Sequence, residues 1–575
     1  MQVKTQDRMR RKIAAIAKDK ECIYLALIVV FGVALSLSLM KGVSFYGDDV
    51  SYTAFVPSIL NGTFSENINI FSLRLTMLFP LAFSIAVFGY TDLGAGAWAL
   101  FAYAITIMIT YLIGRELHGS RTGLIAALLF AIYPVSLRFN TSPDPMLPLV
   151  MFLSLSVLLF IYGKRKRNVW YFLASGASGF VGALANPLAY LYFVFYAFYI
   201  VADGLYSSLK ARGIALDYMS LAVFVGFMTA VAVMGYANMA LAHGKPFYEL
   251  NLTNSYYSAA GGPDEIFYTN PSLSFYINGY FPYGLMAGIL SPLVHLDFGA
   301  AAQGLSSLAQ SLFSFNSINL NDVGFFGYAA ALSGIALLAL NDKKSRFLLV
   351  WGAFLVAYME FGSMSITHYF PIYKLMRFTA IVAVPLMLIV GAALSDFIGE
   401  RIGKGPAGSN GRVLRIAAAA LIIFLLFATS YQIDRFFYLY NHNSMQYMKA
   451  VADEVKAAAG TSNATLLAPA LMPFYVDYYM GYPQNVYANE YDNGAYGGLF
   501  IPTCAGIPDN TYLVIPSQDA LQTINSYNLW SINETWAFDP SECNFTLVAD
   551  NYGNGTLSSL QPIDPTYTGN VYYKP

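Results

Sequence analysis

Long apolar runs separated by short polar segments dominate the hydrophobic pattern of this chain. A helix needs about 20 apolar residues to cross a bilayer. Runs of that kind predict about eleven crossing helices, near residues 22–40, 95–114, 122–139, 147–163, 169–186, 187–206, 217–242, 323–340, 347–361, 377–395 and 413–431. The run at 71–88 is ambiguous, and residues 276–315 could add two more spans. We therefore expect a polytopic α-helical membrane protein with about 11–13 transmembrane helices.

Composition supports this class. The 575 residues are 57% hydrophobic and only 11% charged, with a mean hydropathy of +0.51. Soluble domains carry about 25% charged residues, so a soluble protein is excluded. The basic N-terminus followed by an apolar run resembles a signal peptide, but residues 22–40 are long enough to span and no small-residue cleavage site follows. We interpret them as the first membrane helix.

The positive charges predict the orientation of the helices. If the run at 71–88 lies along the outer surface, 22 of the 32 Lys and Arg residues fall in six inner segments, as the positive-inside rule requires. The N-terminus is then cytoplasmic and the C-terminus extracytoplasmic. Asn-x-Ser/Thr sequons fall on the outer side of the same topology, at Asn61, Asn140, Asn251, Asn463, Asn533, Asn544 and Asn554. Sequons are glycosylated only outside, so they agree with this orientation.

Composition changes near Tyr431. The segment "QYMKAVADEVKAAAG" has helical periodicity, whereas "ATLLAPAL" and "TYLVIPS" are typical of short strands. We predict a transmembrane module at residues 1–432, with a first outer loop at 41–94, and a small extracytoplasmic α/β domain at 433–575. A disulfide between Cys504 and Cys543 would add about 4 kcal/mol of stability. The alternative is two buried thiols.

Charged residues near the outer ends of the predicted helices are the candidates for chemistry. Ionisable groups within membrane segments are costly and often functional. The candidates are Asp48, Asp49, Arg74, Arg138, Asp144, His368, Lys374 and Arg377. Each also has a structural interpretation, because acidic residues cap helices and basic ones anchor helix ends at headgroups. No nucleotide-binding loop, zinc-type cysteine cluster or GxSxG motif is present.

The order of these motifs resembles a known family. The pair in "GDD" (47–49) opens the first loop, "RLTMLFPLAFSIAVFG" follows, and "PDPMLPL" (143–149) comes after the next two apolar runs. Over residues 22–200 this arrangement is similar to the GT-C glycosyltransferases of family 39, which include protein O-mannosyltransferases and the aminoarabinose transferase of lipid A. Two features depart from the family pattern: Asp-Asp replaces Asp-Glu, and the "PPL" of the first loop is missing, which leaves the acceptor open.

The resemblance implies an inverting transfer of a sugar from a polyprenyl (dolichyl-type) phosphate to a hydroxyl of a protein, lipid or lipid-linked glycan. The phosphate leaving group needs no general acid, because its second pKa is about 6. A base and cations for the phosphate suffice. We expect Asp48 and Asp49 to be catalytic, and Arg74, Asp144, His368, Lys374 and Arg377 to bind substrate. A divalent cation, Mg²⁺ or Mn²⁺, could be held by the acidic pair.

Two other functions fit an apolar bundle with charges. A transporter or flippase of lipid-linked sugars would place charges there too, but it would be expected to show inverted repeats or paired broken helices, which this sequence lacks. A surface protein would need only one anchoring helix. We expect an enzyme in the plasma membrane, of archaeal type, that binds membrane lipid and no nucleic acid.

Overall fold

The computed structural model describes most of residues 20–211 and parts of the chain from residue 343 onward. It covers residues 20–43, 48–65, 71–211, 343–363, 372, 376–398, 409–460, 462–469, 472–483, 485–491, 509–516, 546–549 and 569–574. The predicted spans at 217–242 and 323–340 and the segment 276–315 lie outside these residues. So do His368, Lys374, Cys504 and Cys543, and the proposed disulfide stays a prediction.

Fourteen α-helices lie within the described residues. They are α1 (Lys20–Ser38), α2 (Asp49–Thr53), α3 (Val56–Leu60), α4 (Leu75–Phe88), α5 (Asp92–His118), α6 (Ser120–Ala131), α7 (Pro134–Phe139), α8 (Met146–Lys166), α9 (Val169–Ala183), α10 (Tyr190–Ala211), α11 (Lys343–Phe361), α12 (Ala380–Ile398), α13 (Ser409–Ala459) and α14 (Met472–Met480). Short 3-10 turns at Pro187–Ala189 and Met376–Thr379 precede α10 and α12.

The apolar runs match these helices, with two differences. The run predicted at 122–139 is broken into α6 and α7, because Pro134 starts a new helix and lacks the N–H that would continue the old one. Helix α13 has 51 residues rather than one span. At 1.5 Å per residue it is about 76 Å long, far more than the roughly 30 Å of a bilayer core.

Four of the described helices are long and apolar enough to cross a membrane: Lys20–Ser38, Asp92–His118, Met146–Lys166 and Arg377–Ile398. Helix α4 packs one face against α5, while its opposite face exposes Phe79, Phe83 and Val87, one helical turn apart. An apolar exposed face is suited to lipid contact. That the run at 71–88 lies along the outer surface stays a prediction.

Small residues bring the central helices of the bundle close together. A Cβ added at Gly114 would meet Gly123 Cα at 2.7 Å, and one added at Gly391 would meet Ala126 at 3.0 Å. Helices α5, α6 and α12 therefore approach at backbone distance, which favours association in lipid, where van der Waals packing replaces the hydrophobic effect. This packing fixes the position at which α12 begins, and with it Arg377.

A buried ion pair ties the long helix to the end of the first one. Lys41, just after α1, lies 2.5 Å from Asp434 on α13, and the two side chains are 4% and 1% exposed. The Lys41 ammonium also donates to the Leu137 carbonyl at 3.0 Å. Breaking a buried pair of this kind destabilises strongly because one charge is left buried alone. The pair therefore anchors α13 against the bundle.

A mixed sheet follows α13. Its five strands are β1 (Ala464–Pro469), β2 (Val486–Tyr491), β3 (Thr511–Pro516), β4 (Thr546–Ala549) and β5 (Gly569–Lys574), in the order β2-β1-β3-β5-β4. Strands β1, β2 and β3 run parallel, and β5 pairs antiparallel with β3 and β4. The expected α/β character and the strands predicted in "ATLLAPAL" and "TYLVIPS" are confirmed.

The first loop and the C-terminal region share one hydrophobic core. Val50, Tyr52, Met77 and Leu78 pack in the same cluster as residues of α13, α14 and the strands, among them Met448, Val451, Leu466, Tyr475 and Tyr478. Helix α13 also runs without a break through the predicted boundary at 432/433. The division into two domains stays a prediction, but the two parts are joined by both a helix and a core.

One sequon is inaccessible in the folded chain. Asn140 is fully buried, and its Nδ2 donates to Ser36 Oγ at 2.6 Å. A buried amide that bonds a neighbouring helix has a packing role, so this sequon carries no information about glycosylation.

Candidate active site

Asp48 forms an ion pair with Arg377 at one end of the bundle. Asp48 occupies the N-cap position of α2, but its side chain makes no capping hydrogen bond. Its Oδ2 accepts instead from Arg377 Nη1 at 2.7 Å, across 329 positions of sequence. The two side chains are 33% and 25% exposed, so the pair is open to a substrate. The alternative interpretation of Asp48 as a helix cap is therefore not what the structure shows.

Asp49 lies in a different environment from its neighbour. It is the first residue of α2 and is 4% exposed. Helix α2 packs there against α14 of the C-terminal region. The acidic pair therefore has one buried member, Asp49, and one partly exposed member, Asp48.

Asp144 is buried in the loop before α8. It is 3% exposed, and its Oδ1 accepts from the Met146 backbone N–H at 2.7 Å. This bond satisfies one N–H at the start of α8, although Pro145 rather than Asp144 occupies the N-cap position. Burial raises the pKa of the Asp144 carboxyl, while the charges of Arg377 and Arg74 oppose that rise. Asp144 therefore also belongs to the electrostatic environment of both arginines.

Arg74 precedes α4 and is held by the turn after α9. Its Nη1 donates to the Ala185 carbonyl at 3.1 Å, and the adjacent Thr76 hydroxyl donates to the Val181 carbonyl at 2.9 Å. The buried Arg74 Nε finds no hydrogen-bond acceptor among the residues that the structure describes, and the same is true of Arg377 Nε. Both guanidinium groups thus keep an unused donor beside the carboxylates.

Tyr52 lies near these charged residues, although it was not among the candidates taken from the sequence. It is 1% exposed, and its surroundings include the charges of Arg74, Asp48, Asp144 and Arg377. Burial raises the pKa of its phenol, so the hydroxyl stays protonated. Tyr52 follows Asp48 by one helical turn, and its N–H donates to the Asp48 carbonyl at 3.1 Å. This spacing of four residues is the signal that could have found it.

The structure therefore brings together four of the candidate residues, Asp48, Arg74, Asp144 and Arg377, with Asp49 beside them. His368 and Lys374 lie outside the described residues. Within the same limits, no three His, Cys, Asp or Glu side chains converge as a metal site would require. The catalytic and binding roles of these residues stay predictions.

Comparison with known sequences supports the resemblance noted above. Residues 75–233 match the family described as dolichyl-phosphate-mannose-protein mannosyltransferase. This segment includes Asp144 and the helices α4 to α10. A search of curated proteins gives no match to the chain.

The whole described architecture matches a solved structure. ArnT from Cupriavidus metallidurans in the apo state has a TM-score of 0.55 at 11% identity, over 96% of this chain and 97% of that one. The chain has a GT-C fold. The undecaprenyl-phosphate-bound form of the same ArnT gives a TM-score of 0.52 at 13% identity, over 89% of this chain and 96% of that one. A GT-C fold together with four span-capable helices makes this an integral, multi-pass membrane protein.

An oligosaccharyltransferase is also similar. The apo enzyme from Archaeoglobus fulgidus has a TM-score of 0.47 at 14% identity, over 80% of this chain. The present chain spans 64% of the length of that enzyme.

Proposed function

We propose that this GT-C protein is a membrane glycosyltransferase that takes a sugar from a polyprenyl phosphate and transfers it, with inversion, to a hydroxyl. The observation that carries the proposal is the group formed by Asp48, Arg74 and Arg377. It combines a partly exposed carboxylate with two guanidinium groups, each with an Nε that finds no acceptor among the described residues. A base and cations for a leaving phosphate are the groups this reaction requires.

The arginines are suited to the donor phosphate. Arg377 donates to Asp48 through Nη1, and a quarter of its side chain is exposed, so part of the guanidinium can be reached by a second anion. Guanidinium groups bind phosphate through several N–H donors at once, and charge-assisted bonds of this kind are the strong ones. Arg74 supplies a second guanidinium group, anchored by its bond to the Ala185 carbonyl.

Asp48 is suited to act as the base. It is the more accessible carboxylate, and Arg377 fixes its orientation at 2.7 Å. As the acceptor oxygen attacks the anomeric carbon, its proton passes to Asp48 and the C–O bond to the phosphate breaks. The electron pair of that bond leaves with the phosphate, whose charge the arginines stabilise. Asp49 and Asp144 are the other carboxyl groups near Asp48 and the two arginines.

The site would face the outer leaflet. The positive-inside rule puts the N-terminus in the cytoplasm and places the first loop and the sheet outside. The description of the matching family includes dolichyl-phosphate mannose, and the solved ArnT binds undecaprenyl phosphate. A protein, a lipid or a lipid-linked glycan would supply the acceptor hydroxyl. The archaeal origin and the plasma membrane location belong to the same proposal.

A divalent cation at the acidic pair is a separate proposal. Because three ligating side chains do not converge within the described residues, Mg²⁺ or Mn²⁺ held by Asp48 would take further ligands from donor phosphate or water. Activity measured after chelation, and again after Mg²⁺ is restored, tests this point.

The decisive experiment follows the lipid. Purified protein is incubated with a set of polyprenyl-phosphate sugars, and release of free polyprenyl phosphate is measured together with the glycosylated acceptor. A transferase releases the lipid phosphate, whereas a flippase moves the lipid and leaves it intact. The family match and the match to ArnT do not support the flippase alternative. Intact donor throughout, with movement across liposomes, would refute our proposal.

A further inference from the structure

The turn after α14 carries Tyr482 in an unusual backbone conformation. Helix α14 is followed by Gly481 and Tyr482, which both lie in the left-handed region, at φ of 83° and 51°. The Gly481 N–H donates to the Tyr478 carbonyl and the Tyr482 N–H to the Asp477 carbonyl, both at 2.9 Å, which are the two bonds of a Schellman motif. A left-handed backbone is unfavourable for a bulky residue, so we expect the side-chain contacts of Tyr482 to stabilise this turn.

The ring of Tyr482 packs against the first loop. Its centroid lies 5.7 Å from that of Tyr90 in the loop and 6.3 Å from that of Tyr478, with interplanar angles of 73° and 77°. Edge-to-face contacts of this kind are favourable. Gly481 lies close to the same loop residue, since a Cβ added there would meet Tyr90 Cδ2 at 3.3 Å. The turn is therefore seated on the loop, and the direction of the Tyr482 hydroxyl is fixed.

The hydroxyl of Tyr482 reaches helix α2. It donates to Thr53 Oγ1 at 3.1 Å, and the Thr53 hydroxyl donates in turn to the Val50 carbonyl at 3.0 Å. Thr53 is the last residue of α2 and is fully buried. Each hydroxyl hydrogen thus has its own acceptor, and a chain of two hydrogen bonds runs from the C-terminal region into α2.

Helix α2 is held by a side-chain contact at each of its ends. A helix of five residues is not stable by itself, so its position depends on its surroundings. At the first end Asp48 pairs with Arg377 at 2.7 Å, and at the other end Thr53 accepts from Tyr482. The first contact comes from the start of α12 and the second from the C-terminal region. A rotation of α2 about its axis would therefore move the Asp48 carboxylate.

We propose that Tyr482 is a positioning residue whose hydrogen bond to Thr53 fixes the rotation of α2 and thereby the direction of Asp48. The part of this proposal that concerns catalysis rests on the proposed function, in which Asp48 is the base. The C-terminal region would then contribute to transfer without touching the substrate.

Two other tyrosine hydroxyls of α14 provide a comparison, because they bond the start of α5 and not α2. Tyr478 donates to the Thr91 carbonyl and Tyr479 to Asp92 Oδ1, both at 2.9 Å. Loss of the Tyr479 hydroxyl therefore weakens the docking of the same helix on the first loop while the bond to Thr53 remains. Tyr479→Phe is the matched control for Tyr482→Phe.

A double-mutant cycle on thermal stability tests the contact without any assay of transfer. Melting temperatures of the full-length detergent-solubilised protein are compared for Tyr482→Phe, Thr53→Val and the double variant. Both changes keep the shape of the side chain, and we expect their shifts to be non-additive because each removes the same hydrogen bond. The cycle of Tyr479→Phe with Thr53→Val is expected to be additive. Additive shifts in the Tyr482 cycle would overturn the proposal.

Steady-state kinetics of transfer test the positioning role. Tyr482→Phe should lower kcat about 5-fold or more, the value of one neutral hydrogen bond, with little change in KM for the polyprenyl-phosphate sugar. Thr53→Val should have the same effect, whereas Thr53→Ser keeps the hydroxyl and should retain most of the wild-type kcat. Tyr479→Phe should leave kcat unchanged. An unchanged kcat in Tyr482→Phe, or an equal loss in Tyr479→Phe, would refute the positioning role.

The two proposals fail in different ways. Wild-type protein that releases no polyprenyl phosphate from any donor would refute the transferase, while the stability cycle would still decide whether Tyr482 holds Thr53. Active wild-type protein with an additive cycle would refute only the role of Tyr482. If Tyr482→Phe does not fold, the comparison of Thr53→Val with Thr53→Ser takes its place. A kcat lost in the first and kept in the second would support the proposal, and equal values would refute it.

Discussion

Arg377 and Asp48 are 329 positions apart in the sequence, yet they form an ion pair of 2.7 Å at the end of the bundle. The start of α12 and the start of α2 are thereby joined. The pair is neither fully buried nor fully exposed, and Arg377 retains a donor that finds no acceptor among the described residues. The exposed part of the Arg377 side chain is where a phosphate would bind beside Asp48.

The first prediction concerns the base. Asp48→Asn keeps the shape and the hydrogen bond from Arg377 but cannot accept a proton, so transfer should fall by at least about 10²-fold. Melting temperature should change little, since Asp48 is partly exposed. Asp453→Asn, the same substitution at an exposed position of α13, is the matched control. Turnover equal to wild type in Asp48→Asn would eliminate this residue as the base.

The second prediction concerns the donor phosphate. Arg377→Met removes the guanidinium and should weaken binding of a polyprenyl phosphate by about 10-fold or more, the value of a charge-assisted bond. Arg377→Lys keeps the charge but loses the planar guanidinium with its several N–H donors. It should therefore recover only part of the affinity. Arg121→Met, at an exposed position of α6, is the control. Lys374→Met added to Arg377→Met is expected to weaken donor binding further. Unchanged donor affinity would make Arg377 an anchor only.

The third prediction separates the two roles of Asp144. Asp144→Asn keeps an acceptor for the Met146 N–H and so preserves the cap, but it removes the charge. We expect near-normal stability with transfer reduced about 10-fold or more, because the environment of both arginines changes. Arg74→Ala should likewise reduce transfer. If Asp144 only caps α8, Asp144→Asn will transfer sugar at the wild-type rate while Asp144→Ala lowers the melting temperature.

The fourth prediction concerns the dependence of stability on pH. Burial raises the pKa of Asp477 to about 7 from 3.8. Between these two values the folded chain binds a proton that the unfolded chain does not, so stability falls as the pH rises toward 7. Asp477→Asn removes this loss, so its melting temperature at pH 8 should be higher than that of the wild type. Its free energy of unfolding should be higher by up to about 1.4 kcal/mol for each pH unit between the two pKa values.

At pH 4 the Asp477→Asn variant and the wild type should melt at similar temperatures, because both then carry an uncharged group at this position. Melting curves recorded from pH 4 to 8 decide the matter. Parallel curves for the two proteins would show that Asp477 titrates normally.

The fifth prediction concerns the anchor of α13. Lys41→Met or Asp434→Leu alone leaves one charge buried without its partner and should cost about 3–5 kcal/mol. The double variant should recover much of that loss, because two apolar side chains replace the pair. Unfolding of the four proteins in denaturant measures the coupling. A double variant that loses the sum of both single effects would contradict a direct pair.

The hydrophobic pattern by itself determined the class of this protein and most of its helices. Apolar length is a local property, and a lipid environment requires each spanning segment to satisfy its own backbone, so runs such as 95–114 and 147–163 could be recognised without a fold. The strands at Ala464–Pro469 and Thr511–Pro516 were recognised from local periodicity in the same way. The motif order around Asp48, Asp49 and Asp144 supplied the resemblance to GT-C glycosyltransferases.

Only the tertiary structure decided which charges meet. Asp48 was expected among the catalytic residues and Arg377 among the phosphate ligands, but their ion pair depends on how α12 packs against α6 through Gly391 and Ala126. Tyr52 carries no charge, and only its spacing of four residues from Asp48 distinguishes it from an ordinary core residue. Side chains far apart in sequence are brought together by the packing of whole helices, and that packing depends on contacts summed over the entire chain.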